Sequence, residues 1–242
     1  MRAIAAIVGA LSLAAAGYSA RAGASSGGGR CAAYNPHIPP AKHFSKVIDN
    51  PYFPLPVGRT FVYRGVENRK RELDRMHVTS KTKNIAGITA TVVCDNVYEP
   101  PPKLLEKTFD YYAQDKQGNV WYLGEDTTHF LPNGKADTSG SFTAGVNGAQ
   151  PGIIMKANPQ IPDSYRQECL AGQAEDTAWV VGTTGSTKVP YGTVRNTLST
   201  LEATRIEPGA YDEKVYGPGV GIVSERALTG DPEVAQLVSV TG

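Results

Sequence analysis

Apolar and polar residues alternate with a period of two through most of the chain beyond residue 58. "RTFVYRGV" (59–66), "RMHVTSKTKNI" (75–85), "ITATVVCDNVY" (88–98), "LLEKTFDYYAQ" (104–114) and "NVWYLGED" (119–126) are rich in β-branched and aromatic residues. Turn signals such as "AG", "EPPP" and "DKQG" separate them. A second series follows: "SYRQECL" (164–170), "EDTAWVVG" (175–182), "TVRNTLSTLEATRI" (193–206), "EKVYG" (213–217), "GIVSERAL" (221–228) and "AQLVSVT" (235–241). No segment sustains a 3.6-residue apolar period, and in the ambiguous "VRNTLSTLEATR" the Thr and Val residues favour strand. The pattern predicts an all-β fold, antiparallel, a sandwich or more specifically a barrel or half-barrel of about eleven strands. Between the two series, residues 131–163 are rich in Gly, Pro and Asn. They form either one long functional loop or a short helix around "PGIIMKA" that plugs one barrel end.

The stretch "TFDYYAQDKQGNVWYLGED" (108–126) mixes acids with bulky aromatics. "DKQG" fits a type I turn followed by a left-handed glycine, which sets Gln114 opposite Val120, Tyr112 opposite Tyr122, Asp110 opposite Gly124 and Thr108 opposite Asp126. Side chains then sort by parity. Phe109, Tyr111, Ala113, Trp121 and Leu123, with Glu125 at the end, make an apolar face. Glu106, Thr108, Asp110, Tyr112, Gln114, Val120, Tyr122 and Asp126 make the other. Tyrosines beside acids suit a polar cavity, where the ring supplies area and the hydroxyl a hydrogen bond. They also suit a solvated outer face with cross-strand tyrosine pairs. The hairpin "YRQECLAGQAEDTAW" (165–179) repeats the theme with Tyr165, Gln167, Glu168, Glu175 and Asp176, and Glu225 is a further strand carboxylate. Carboxylates gathered in one concave space drive one another's pKa values apart.

The opening "MRAIAAIVGALSLAAAGYSARAG" reads as a secretory signal over residues 1–22, its apolar run shorter than the ~20 residues of a membrane span. Residues 23–50, rich in Gly, Ser and Pro, read as a flexible tether, and 51–242 as a single β domain. Removing Arg2 and Arg21 takes the 24 basic residues to 22, against 23 acidic. That balance gives no footprint for nucleic acid or an anionic membrane. The basic run "RKRELDR" (69–75), interrupted by acids, reads as a solvated hairpin tip. Export permits a disulfide, and of the three cysteines Cys94 and Cys169, both in strand segments, make the favoured pair over Cys31.

Signatures of common hydrolases, H-E-x-x-H zinc sites, calcium loops and phosphate loops are absent. Of the four histidines, His37 and His43 fall in the tether, His77 at a strand surface, and His129 in an exposed position beyond the acidic hairpin. No transition-metal ligand set is implied, calcium held by the separate carboxylates stays open, and the residues name no cofactor.

The chain resembles a group of uncharacterised secreted bacterial all-β proteins. The resemblance rests on "DNPYFPLPVGRTFVYRG", "DYYAQDKQGNVWYLGED", "AGVNGAQPGIIM", "YRQE…AED" and "YGPGVGIVSE" and covers roughly residues 48–240. It brings no established activity. More loosely, "FPLPVGRTFVY" and "GPGVGIVSE" are similar to exported half-barrel proteins that hold lipids or other apolar ligands.

These observations predict a secreted or periplasmic protein that holds a small molecule or glycan segment in a polar-aromatic cavity. The expected ligand-binding residues are Glu106, Asp110, Tyr112, Tyr122, Asp126, Tyr165, Gln167, Glu168 and Glu175. Two other readings use the same residues: a carboxylate-dependent hydrolase or lyase, and an envelope protein with no pocket, which requires the acid-tyrosine face to be exposed.

Overall fold

In the computed structural model, which describes residues 36–230 and 232–242, strands begin where alternation begins. The first half runs β1 (Thr60–Glu67), β2 (Lys70–Ile85), β3 (Ile88–Glu99), β4 (Lys103–Gln114) and β5 (Val120–Phe130). Three short strands follow, β6 (Ala136–Asp137), β7 (Phe142–Thr143) and β8 (Gln150–Met155). The rest is β9 (Ser164–Arg166), β10 (Glu168–Cys169), β11 (Asp176–Val189), β12 (Gly192–Thr204), β13 (Tyr211–Gly217), β14 (Gly221–Ala227) and β15 (Glu233–Thr241).

Thirteen of these pair in one antiparallel path, β10-β8-β5-β4-β3-β2-β1-β15-β14-β13-β12-β11-β9, while β6 and β7 lie against β5. The path starts and ends on strands separated in sequence by Gln167 alone, so the sheet curls into a nearly closed barrel with a seam between β8 and β9. Gly152 makes the seam possible. A Cβ there would lie 2.3 Å from the Arg166 carbonyl oxygen, inside any allowed contact.

Ten of the eleven expected strands are present as single strands, the expected strand 164–170 splits into β9 and β10, and the 131–163 segment adds β6, β7 and β8 instead of a helix. "PGIIM" pairs with β5, extending the sheet. The single helical turn among the described residues is Ala41–His43. It belongs to the stretch expected as tether, whose described part, 36–50, packs on the barrel. Ser45 N–H donates to the Gln114 carbonyl, and the Asp49 and Asn50 amides both donate to the Gln114 side-chain oxygen, at 2.9 and 2.8 Å. The signal segment and Cys31 lie outside the described residues.

From this segment and the proline-rich entry after it, Ile48, Phe53 and Leu55 enter the apolar core, and Phe53 meets the Tyr112 ring edge-on at 5.3 Å. The Pro51 carbonyl accepts from Gly219 N–H in the β13–β14 turn, so the proline-rich entry stops the barrel end where β4 finishes and β14 starts. At the opposite end, beside the β1–β2 turn, the inward positions are acidic. Of "RKRELDR" Arg69 lies in the turn, and from Lys70 on it is strand: Glu72 and Asp74 are buried while Arg71, Leu73 and Arg75 face out. Cys94 is a free thiol on the outer side of β3, four strands along the path from Cys169 on β10, so the expected bridge between them does not form.

Candidate functional site in the barrel interior

Asp115 builds the turn that aligns β4 with β5. Its carboxylate accepts from the Gln117 and Asn119 amides, the Asn119 side chain and, at 2.8 Å, the Trp121 indole N–H. Gly118 takes the left-handed conformation, φ 97°. The register beside the turn is the expected one, Gln114 with Val120 and Tyr112 with Tyr122. The two tyrosine rings stack at 4.9 Å.

One residue later the register slips. Tyr111 pairs with Gly124, so Leu123 is an extra residue on β5 and the strand bulges. Beyond the bulge Asp110 faces Glu125, not Gly124, and Thr108 faces Thr127, not Asp126. An extra residue inverts parity, so Glu125 turns inward and Asp126 turns out. Asp126 sits on the outer surface with Lys83 at 3.0 Å and the Tyr111 hydroxyl as donors. The bulge is held by β7: a Cβ on Gly124 would lie 2.4 Å from the Phe142 carbonyl oxygen, and φ there is 145°.

Around this hairpin the interior gathers carboxylates. Tyr122 donates to Asp110 at 2.7 Å, and Asp110 is 0 % exposed. Burial, then Asp95, push the Asp110 carboxyl well above the ordinary carboxylate range, against hydrogen bonds from Tyr122 and Tyr112. Glu125 is raised by burial, then by Asp110 and Glu106. Glu168, on β10, is raised by burial, then by Asp176 and Glu125, with Lys214 opposing. It is 1 % exposed and neither carboxylate oxygen meets a hydrogen-bond donor. Glu106 accepts from Thr108 at 2.8 Å and lies 3.1 Å from His129 Nδ1. His129, expected in an exposed position, is therefore half-buried on β5 and reaches the cluster. It also lines a cleft of about 180 Å³ at the acidic barrel end, together with Glu72, Lys70, Lys103, Leu105 and Phe130.

Of the nine expected binding residues, Glu106, Asp110, Tyr112, Tyr122 and Glu168 come together. Tyr165 is buried against the far wall, near Glu202 and Tyr216. Gln167 is buried at the seam. Asp126 is outside, and Glu175 caps a turn by accepting from Gly172 N–H at 2.8 Å. Glu125, Asp95, Thr127 and Lys214 were not expected. The glycine inside a strand, a recognised mark of a bulge, was the local signal for Glu125.

On the far wall, Lys214 Nζ lies 3.0 Å from Glu202 and 3.8 Å from Glu225. Burial alone would lower its pKa, but these two carboxylates outweigh it and raise it. Thr200 and Tyr216 complete the shell of Glu202 at 2.8 and 3.2 Å. Among the described residues no group of three or more His, Cys, Asp or Glu has the geometry to hold a metal ion, and no helix is long and apolar enough to cross a membrane.

Two solved structures are similar in outline. One is a Bacteroides fragilis chain named as an exported protein with a YmcC-like fold, 14% identical, TM-score 0.46, spanning 79% of this chain and 99% of its own. The other is a Parabacteroides distasonis chain named as a lipoprotein, 11% identical, TM-score 0.42, spanning 78% of this chain and 98% of its own. No family model matches the chain, and no curated protein does.

Proposed function

We propose that the protein is an exported binding protein that takes a small polar molecule or a glycan segment into the acidic end of its barrel, against Asp110, Tyr112, Tyr122, Glu125 and Glu168. The observation that carries the reading is Glu168, a buried carboxyl with both oxygens lacking a donor. Leaving such a group unsatisfied costs about 1–3 kcal/mol, and a ligand hydroxyl or amine would recover it. On this reading the cleft lined by His129 and Glu72 is the entrance, since it lies at the same barrel end and its His129 is 3.1 Å from Glu106 of the cluster.

Titrating neutral mono- and oligosaccharides against the protein tests the reading by calorimetry. At least one should bind, with affinity reduced a few-fold to about tenfold in Glu168→Gln and Asp110→Asn. Binding that these substitutions leave untouched would place the ligand elsewhere, and a panel without any binder would reject a saccharide ligand. A second reading, a carboxylate-dependent hydrolase or lyase, draws support from the raised Asp110, Glu125 and Glu168 carboxyls, since a general acid must hold its proton near neutral pH. It would show itself as turnover that falls by orders of magnitude in the same folded variants.

A further inference from the structure

Strand parity separates charges that the sequence interleaves. In "RGVENRKRELDR" (64–75), Glu67, Glu72 and Asp74 turn into the barrel and Arg64, Arg71 and Arg75 turn out. Val66 and Leu73 share the outward side, exposed at 38% and 36%. Across the ladder Arg64 sits beside Leu73, and Val66 beside both Arg71 and Val234 of β15, itself 37% exposed. Arginines and aliphatic side chains therefore alternate over β1 and β2, with Val234 of β15 beside them, and no outward position of β1 or of Arg71–His77 in β2 carries a carboxylate. A groove of about 550 Å³ runs through this face, with Arg64 and Arg71 among its walls and Val66, Leu73, Pro100 and Val234 beside them. Glu72 also borders it. Burial, then Glu67, raise the Glu72 pKa to about 8, so near neutral pH it does not offset the arginines. Glu99, at the end of β3, is occupied by Lys70 at 3.2 Å.

We propose that this outer face of β15, β1 and β2 docks on an anionic lipid surface. Arg64, Arg71 and Arg75 meet headgroup phosphates while Val66, Leu73 and Val234 enter the interfacial layer. The near-neutral composition conceals this face because the balancing acids are inside. A nucleic acid would leave the aliphatic positions stranded in a polar interface, whereas a bilayer interface accommodates both kinds of side chain. An extended acidic peptide needs a free sheet edge, and β1, paired on both sides, offers none.

Co-sedimentation of the full chain with phosphatidylcholine vesicles, with and without phosphatidylglycerol, tests the proposal. Binding should require phosphatidylglycerol, weaken with salt, and fall by about tenfold or more in Arg64→Glu/Arg71→Glu. Leu73→Ser/Val66→Ser should weaken it by a smaller factor. Arg195→Glu, exposed on β12 and sharing the same N-terminal apolar run, should bind as the parent does. If the charge reversal perturbs folding by circular dichroism, Arg64→Gln/Arg71→Gln supplies the same comparison. Equal binding by the charge variants, equal binding to both vesicle types, binding to neither, or preference for an acidic peptide or nucleic acid would each overturn it.

Discussion

On the β12–β14 wall of the barrel, Lys214 meets Glu202 and Glu225, and Thr200 and Tyr216 complete the shell. On the β4–β5–β10 wall, Asp110, Glu125 and Glu168 face one another with no ion pair among the described residues; tyrosine hydroxyls donate to Asp110 and Glu125, and Glu168 has no donor. A carboxylate held by a buried ammonium has its partner fixed and serves the fold. Carboxyls held by protons and phenols can exchange those partners when pH changes or a ligand arrives. The same residue type is structural on one wall and available on the other, and the difference is the placement of a single lysine.

The largest expected effect comes from deleting that lysine. Lys214→Met strands Glu202 and Glu225 in the interior and should cost about 3–5 kcal/mol in urea unfolding at neutral pH. A loss below about 1 kcal/mol would show that the two walls do not differ in kind. Gly124→Ala comes next. A Cβ would collide with the Phe142 carbonyl oxygen in a conformation that suits glycine, so a loss of about 1–3 kcal/mol is expected. An unchanged midpoint would mean that β7 does not hold the bulge.

That bulge also marks how far the sequence could be read. Alternation located β1–β5 and β11–β15 because each strand carries its own pattern, "DKQG" announced its turn, and the expected strand 164–170 divides at Gln167 into β9 and β10. The two-residue β6 and β7 carry no period, and "QPGIIM" forms a strand because β5 offers it an edge. Parity on β5 was legible up to Leu123 and inverted beyond it, since the cause, the Phe142 backbone, lies eighteen residues downstream of Gly124. Asp110, Tyr112 and Tyr122 could therefore be placed on one face, which the barrel encloses, while Glu125 and Asp126 were exchanged. "RELDR" hid its inward acids for a related reason: alternation shows that two faces exist and leaves open which one the barrel encloses.

The third effect is a pH dependence. Folded-state pKa values of Asp110, Glu125 and Glu168 lie above their unfolded values, so the folded chain binds more protons. Stability from these groups is full below the unfolded carboxylate pKa of about 4 and is lost as pH rises through the folded values. Glu72, raised to about 8, extends the window past neutrality. Denaturation midpoints should fall steadily from about pH 5 to pH 8, and Glu168→Gln should flatten the slope and raise the midpoint at the alkaline end. A midpoint that rises with pH would place ionised, not protonated, carboxyls on this wall.

The smallest effect tests the exchange of Glu125 and Asp126 directly. Asp126 is 56% exposed at the side chain and shares an ion pair with Lys83, itself 36% exposed. Such pairs contribute about 0–1 kcal/mol because solvent screens them and two long side chains lose freedom. The Tyr111 hydroxyl adds a hydrogen bond that an asparagine oxygen can still accept. Asp126→Asn should shift the unfolding midpoint by less than about 1 kcal/mol and leave its pH slope unchanged. Glu125→Gln, one residue away, should flatten that slope because it removes a proton the folded interior holds. Without the bulge the assignments would reverse, with Asp126 governing the slope and Glu125 silent, so measuring the pair fixes the register of β5 independently of any ligand.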